Sequence, residues 1–273
     1  MKTNISDVIY IKALVLSLKA LELNIPKQYK DQLSAVSQLA KYIFGDNLIN
    51  LTLGGSAGKG NVIEGWSDLD VYIVLENYNI EEVAKYMNLV SKLDVHIGTT
   101  FYTLDEVRMG AIDSKTKVML YEKEKYHVNP TIYGEKVYDS ISYETIQRND
   151  VETFPNVLHD FRRRFIELCN DNNKNVDKTY IKKMLVLIKC LLSHYGIFSY
   201  GYAPTVEKLY EVMRTEGYDL TPESSFDIMS SIKNIDDSKD DVIKFSTLLL
   251  EFIEHSYKLK GGKKWTRELV QEQ

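Results

Sequence analysis

The chain has 273 residues, 44% of them hydrophobic and 27% charged, with 34 Lys and Arg against 39 Asp and Glu for a net charge of −5. That balance belongs to a folded globular protein and excludes a disordered or membrane-spanning one, since no apolar run approaches the roughly 20 residues a transmembrane helix needs. The acidic surplus argues against a surface that grips a nucleic-acid backbone and suits a cationic partner better.

The length suffices for one large or two modest domains. At the N-terminus Asp7 precedes the apolar part, which Lys12 and Lys19 interrupt. It does not read as a signal peptide, so the cytoplasm is the expected compartment. Two cysteines, Cys169 and Cys190, both fall in helical patterns. They fit reduced core thiols better than a disulfide framework or a zinc site.

Residues 6–23 place Ile9, Ala13, Leu16 and Ala20 at helical spacing before Pro26, and residues 31–44 place Leu33, Val36, Ala40 and Ile43 on one helix face before Gly45-Asp46-Asn47. A short strand over residues 49–53 then leads into Gly54-Gly55-Ser56. Glycines let a backbone approach a ligand closely, and such a turn points N–H groups and a hydroxyl outward, as phosphate-cradling loops do. After a polar loop, a second strand opens with Asp68-Leu69-Asp70. Side chains alternate along a strand, so the two carboxylates share a face while Leu69 turns inward. Adjacent carboxylates repel unless a cation sits between them, and oxygen ligands are what Mg²⁺ prefers. The segment Gly58-Lys59-Gly60 lacks the Lys-Ser/Thr and following helix of a P-loop.

Asn79, with Glu82 three positions on, opens a helix carrying Val83, Met87 and Val90 to about Lys92. Residues 93–102 alternate as a strand, with Asp94, His96 and Gly98 on one face. Asp105 and Glu106 lie beyond that strand. Residues 118–121 and 126–128 read as strands around a charged turn, and residues 131–134 as a closing strand. Strand signals then fade near residues 140–149. Helical patterns occupy residues 157–170, with the Arg162-Arg163-Arg164 run, and residues 178–194. Another is expected after Pro204, capped by Thr205, and another from Thr221-Pro222-Glu223. The last covers residues 238–257, before a basic tail at Lys263, Lys264 and Trp265.

The corner from Leu51 to Leu75 resembles the nucleotidyltransferase superfamily of the DNA polymerase β type. That signature is a hydrophobic residue, Gly-Gly or Gly-Ser, a loop of roughly ten residues and Asp-x-Asp. Here Gly55-Ser56 are separated by eleven residues from Asp68-Leu69-Asp70. Lys59 stands where an Arg is more usual, and Ser67 precedes the first Asp. A catalytic domain with a helical bundle after it is similar to the aminoglycoside nucleotidyltransferases. The resemblance implies an α+β fold: a small mixed β-sheet catalytic domain with flanking helices (residues 1–145), then an α-helical bundle (residues 146–273).

The same resemblance implies transfer of a nucleoside monophosphate, AMP from ATP being expected, to a hydroxyl of a small molecule, with cationic antibiotics of the aminoglycoside type among the candidate acceptors. Asp68, Asp70 and Asp94 would be the metal-binding and catalytic acids around Mg²⁺, Asp94 as a shared ligand or as the base. Gly55, Ser56, Lys59, Ser67 and Lys189 would bind the nucleoside triphosphate, with Lys208 a further lysine one helix later. A transferase acting on tRNA or protein, and a degenerate nucleotide- or partner-binding module, are the alternatives. The acidic balance weighs against tRNA, and the intact acids against degeneracy.

Overall fold

The computed structural model describes residues 23–170, 175–218, 220 and 225–259. The helix expected over residues 6–23, save its last residue, lies outside the described residues, as do the helix start at Thr221-Pro222-Glu223 and the basic tail. The chain divides into two compact units, Met1–Ser142 and Tyr143–Gln273.

In the first unit, helix α1 (Lys27–Phe44) starts directly after Pro26, which leaves the chain poised for a helix, and so takes in Tyr29 ahead of the expected stripe. It buries Leu33, Val36, Ala40 and Phe44, and Gly45 stops it at φ +53°. Then come β1 (Leu48–Gly54), the single turn α2 (Gly55–Gly58), β2 (Leu69–Leu75), α3 (Ile80–Val90) and β3 (Ile97–Thr103). The elements α4 (Leu104–Arg108), α5 (Ser114–Tyr126) and β4 (Thr131–Gly134) complete the unit. The sheet order is β3-β2-β1-β4. β1 runs antiparallel to β2 and β4, whereas β2 and β3 are parallel, joined by the α3 crossover that a parallel pair requires. The side-chain oxygen of Asn79 accepts the Glu81 and Glu82 N–H groups at the start of α3, the cap the sequence implies.

β2 is buried on both faces, which explains its unbroken apolar run. Leu69, Val71, Ile73 and Leu75 join the core shared with α1 and α3. Tyr72 and Val74 face a second cluster with Tyr102, Met119 and Leu120. By the same alternation Asp70 belongs to the second face, at the end where the strand begins.

Two strand expectations are corrected. Residues 118–121 and 126–128 do not form strands, because α5 runs through them. Asp113 caps that helix by accepting the Thr116 N–H, and His127 ends it in the left-handed region at φ 55°. A short apolar run such as Val118-Met119-Leu120-Tyr121 fits a strand or a buried helix equally, and here the cap decides. The strand expected from residue 93 begins only at Ile97. The Lys92 and Leu93 N–H groups bond back to Leu89 and Val90, so the chain is still closing α3 when the alternating pattern has begun.

The second unit is helical. α6 (Tyr143–Asn170) begins fourteen residues before the expected start and continues through Pro155. Ile146, Val151, Phe154, Leu158 and Phe161 are buried along it, and that packing outweighs the roughly 3 kcal/mol an internal proline costs a helix. Asp160 accepts from Arg163, Arg164 and Lys183, and Arg162 stands 3.7 Å from Glu254, so all three members of the arginine run are ion-paired within this unit. The Arg164 guanidinium foremost holds the Asp160 carboxyl down at about 2.

α7 (Lys178–His194) spans the expected range and is buried along most of its length. α8 (Ala203–Thr215) starts two residues before Thr205, which is not the cap. Its hydroxyl is buried inside the helix and donates to the Gly201 carbonyl at 2.5 Å. Asp227 caps α9 (Ile228–Lys233), and α10 (Lys239–Leu259) buries Val242, Phe245, Leu249 and Phe252.

Candidate functional site

The β1–α2–β2 corner is a tight polar turn. Gly55 sits at φ +63°, and the turn closes through Lys59 N–H to Ser56 O (3.2 Å), Gly60 N–H to Ala57 O (3.1 Å) and Asn61 N–H to Ser56 O (2.9 Å). The loop between this turn and β2 is anchored by Ser67. Its Oγ accepts the Ile63 N–H at 2.9 Å, and its carbonyl accepts the Tyr29 hydroxyl at 2.9 Å. Ser67 is buried, so its hydroxyl shapes the approach to Asp68 from inside the loop. Burial, then the negative charges of Asp68 and Glu64, push the Tyr29 phenol up.

Asp68 and Asp70 flank a fully buried Leu69, and their side chains are 19% and 21% exposed. Asp70 lies opposite Gly54 on β1 and Gly98 on β3, neighbours with no side chain to cover it. Its carboxylate rests against Gly55, where a Cβ would overlap Oδ2. Lys115 Nζ donates to Asp70 Oδ1 at 2.7 Å, and His96 Nδ1 stands 3.7 Å from Asp68 Oδ1 with its ring largely exposed. Burial, and next the charge of Asp70, push the Tyr72 phenol far up.

This donor set fits Mg²⁺. That ion is commonly held by one or two carboxylates and completes its shell with water and substrate phosphates. Asp68 and Asp70 are two partly exposed oxygen donors, and an ammonium already lies against one of them. Asp94 is placed differently from the sequence expectation: it is exposed in the turn before β3 rather than on a strand. Among the described residues, no group of three or more His, Cys, Asp or Glu side chains comes together to hold a metal ion.

The remaining expected residues separate. Gly55 and Ser56 form the turn itself. The ammonium of Lys59 points into the protein, donating to Glu122 Oε1 at 2.6 Å with both side chains mostly buried. Lys189 lies on α7 in the second unit, half-buried, where its charge lowers the pKa of Asp150 against the larger upward push of burial. Lys208 donates to the Phe198 carbonyl at 2.6 Å. Of the acids after β3, Glu106 forms a capping box with Thr103, and Asp105 is exposed beside Arg108. A groove of about 500 Å³ in the second unit is lined by residues including Asp160, Lys182 and Lys183, and holds none of the expected site residues.

Three contributors escaped the sequence reading: Lys115, Glu122 and Asn129. Reading residues 118–121 and 126–128 as strands around a charged turn separated Lys115 and Glu122, which share one face of α5, and left Asn129 outside both strands. The signal that finds Lys115 and Glu122 is Asp113 with Thr116 three residues later, an N-cap pattern, and then Lys115, Met119 and Glu122 at helical spacing.

No protein-family model and no curated protein matches the sequence. Among solved structures, the chain is similar to the spectinomycin adenyltransferase AAD(9) from Enterococcus faecialis, determined with ATP and spectinomycin. Identity is 14% and the TM-score is 0.53, over 82% of this chain and 98% of that one. The likeness shows the fold alone, here a unit built on a mixed β-sheet with flanking helices and then a helical unit. Among the described residues, no helix is long and apolar enough to cross a membrane.

Proposed function

We propose that this chain is a divalent-metal-dependent nucleotidyltransferase that moves a nucleoside monophosphate, AMP from ATP, onto a hydroxyl of a small cationic acceptor of the aminoglycoside type. The observation that carries the reading is the seat of Asp70, with its carboxylate against the bare Gly55 of a glycine turn and Asp68 one residue across Leu69. The neighbour solved with ATP and spectinomycin has the same fold and supplies the substrate classes to test first. The net charge of −5 supports a cationic acceptor.

In this reading the acceptor oxygen attacks the α-phosphorus, the bond to the β-phosphate oxygen breaks, and pyrophosphate leaves. Asp68 and Asp70 would hold Mg²⁺, which when bound offsets negative charge on the phosphates. Gly55 and Ser56 present N–H groups and a hydroxyl to the phosphate end. The acceptor's proton goes to Asp94 or to His96, whose imidazole Nδ1 is near Asp68. Ser67 orients the loop leading into Asp68. Lys59 contributes through the shape of the turn, since its ammonium is held by Glu122.

The test is calorimetry with Mg-ATP, and then pyrophosphate release across aminoglycosides, spectinomycin and lincosamides. Release that requires both Mg²⁺ and one of these acceptors supports the reading. Absence of binding to any Mg-nucleoside triphosphate overturns it. Binding to tRNA that falls steeply with salt would instead favour a macromolecular acceptor.

A further inference from the structure

Helix α5 touches both halves of the candidate site through one stripe of side chains. Lys115, Met119 and Glu122 stand at i, i+4 and i+7, on one helix face. Lys115 donates to Asp70 at one end of the stripe, and Glu122 receives Lys59 at the other. Between them Met119 fills the space beside Gly54, where a Cβ would stand 3.2 Å from its Cγ.

Asn129 completes the contact. Its N–H donates to the Gly58 carbonyl at 2.7 Å, and its Nδ2 donates to the Met119 carbonyl at 3.0 Å and, at 3.5 Å, to the second oxygen of Glu122. It is fully buried at φ 55°, and it packs so closely on Gly58 that a Cβ there would lie 2.5 Å from its Oδ1. Lys123 holds the Asn129 carbonyl at 2.6 Å and Thr131 Oγ1 at 2.9 Å. A buried ion pair loses much of its Coulomb energy to desolvation, so its value lies more in fixing one arrangement than in stability.

We propose that Glu122 is a positioning residue which, through Lys59 and Asn129, locks the Gly55–Gly58 turn against the strand carrying Asp70. The turn's N–H groups and the Asp70 carboxylate then keep one relative placement. The functional consequence rests on the nucleotide reading of this corner; the locking itself does not.

Amide hydrogen exchange of the full chain tests the locking in E122Q and K59Q. Exchange at Lys59, Gly60, Asn61 and Asn129 is expected to rise by about tenfold or more, with β1 and β2 amides unchanged. If E122Q fails to fold, the double variant K59M/E122L, which leaves no lone buried charge, takes its place. Unchanged exchange at the turn in these variants overturns the proposal. With Mg-ATP, the variants are expected to raise KM severalfold while kcat changes less. Faster exchange with an unchanged KM overturns the functional part. If the wild type binds no Mg-ATP while the exchange result holds, the nucleotide reading fails and the locking stands.

Discussion

The carboxylate of Asp70 lies against the bare Cα of Gly55, so closely that a Cβ at residue 55 would overlap Oδ2. Gly55 also sits at φ +63°, where a side chain is strained whatever the space. G55A is therefore expected to lose about 1–3 kcal/mol of stability and to displace the carboxylate. Urea unfolding checks the first, and divalent-ion affinity the second. A variant with wild-type stability and metal affinity would contradict this account of the corner.

Lys115 reaches Asp70 from α5 with its own side chain 63% exposed. An ion pair in that setting adds little to stability. K115M is expected to unfold within about 0.5 kcal/mol of wild type. Its removal frees Asp70 Oδ1, so Mn²⁺ titrated into the nucleotide-free protein should bind more tightly. Equal Mn²⁺ affinity in the two proteins would show that the ammonium does not compete for that oxygen.

The polar core behind the turn carries a pH signature. Burial foremost, then the nearby charge of Lys136, lowers the Lys123 ammonium to about 8. Between there and its ordinary value near 10.5, the unfolded chain holds a proton that the folded chain has released, so stability rises with pH across that window. Below about 8 both states are protonated and the contribution is flat. Chemical unfolding from about pH 7 to pH 10 should show this rise in wild type and a shallower one in K123M. The upper limit matters because buried tyrosines, Tyr72 among them, have raised pKa values and oppose the trend above about pH 10.

The proposed reaction offers two candidates for its proton acceptor, Asp94 and His96. Asp94 is exposed in the turn before β3, and His96 stands beside Asp68. If Asp94 is the base, D94N should lower kcat by about 10²–10⁴ with little change in KM, while H96Q stays near wild type. The reverse pattern, with H96Q losing kcat while D94N stays near wild type, assigns the role to His96.

How legible all this was in the sequence depended on the range of the interactions. Asp68-Leu69-Asp70, the glycine turn, β1, β2, the Asn79 cap and α7 arise from local rules of alternation, capping and helical spacing, and the structure has them in place. Failures came where a local pattern served two purposes. Val118-Met119-Leu120-Tyr121 satisfies a strand as well as one buried turn of α5, and Asp94 looks like part of β3 although its segment is still closing α3. Lys59 is the instructive residue. Its place in the motif suggested a ligand to phosphate, but Glu122 lies sixty-three positions away in sequence, and no local rule shows that it holds the ammonium.

The most direct measurement of the central claim compares pyrophosphate release from Mg-ATP by wild type and D70N, with spectinomycin and aminoglycosides as acceptors. Asp70 is a partly exposed residue near the start of β2, and asparagine has nearly its shape, so D70N should fold, as circular dichroism and melting would confirm. The account predicts acceptor-dependent release by wild type and a loss of about 10³-fold or more in folded D70N. Undiminished release by D70N, with any accepted substrate, would contradict it.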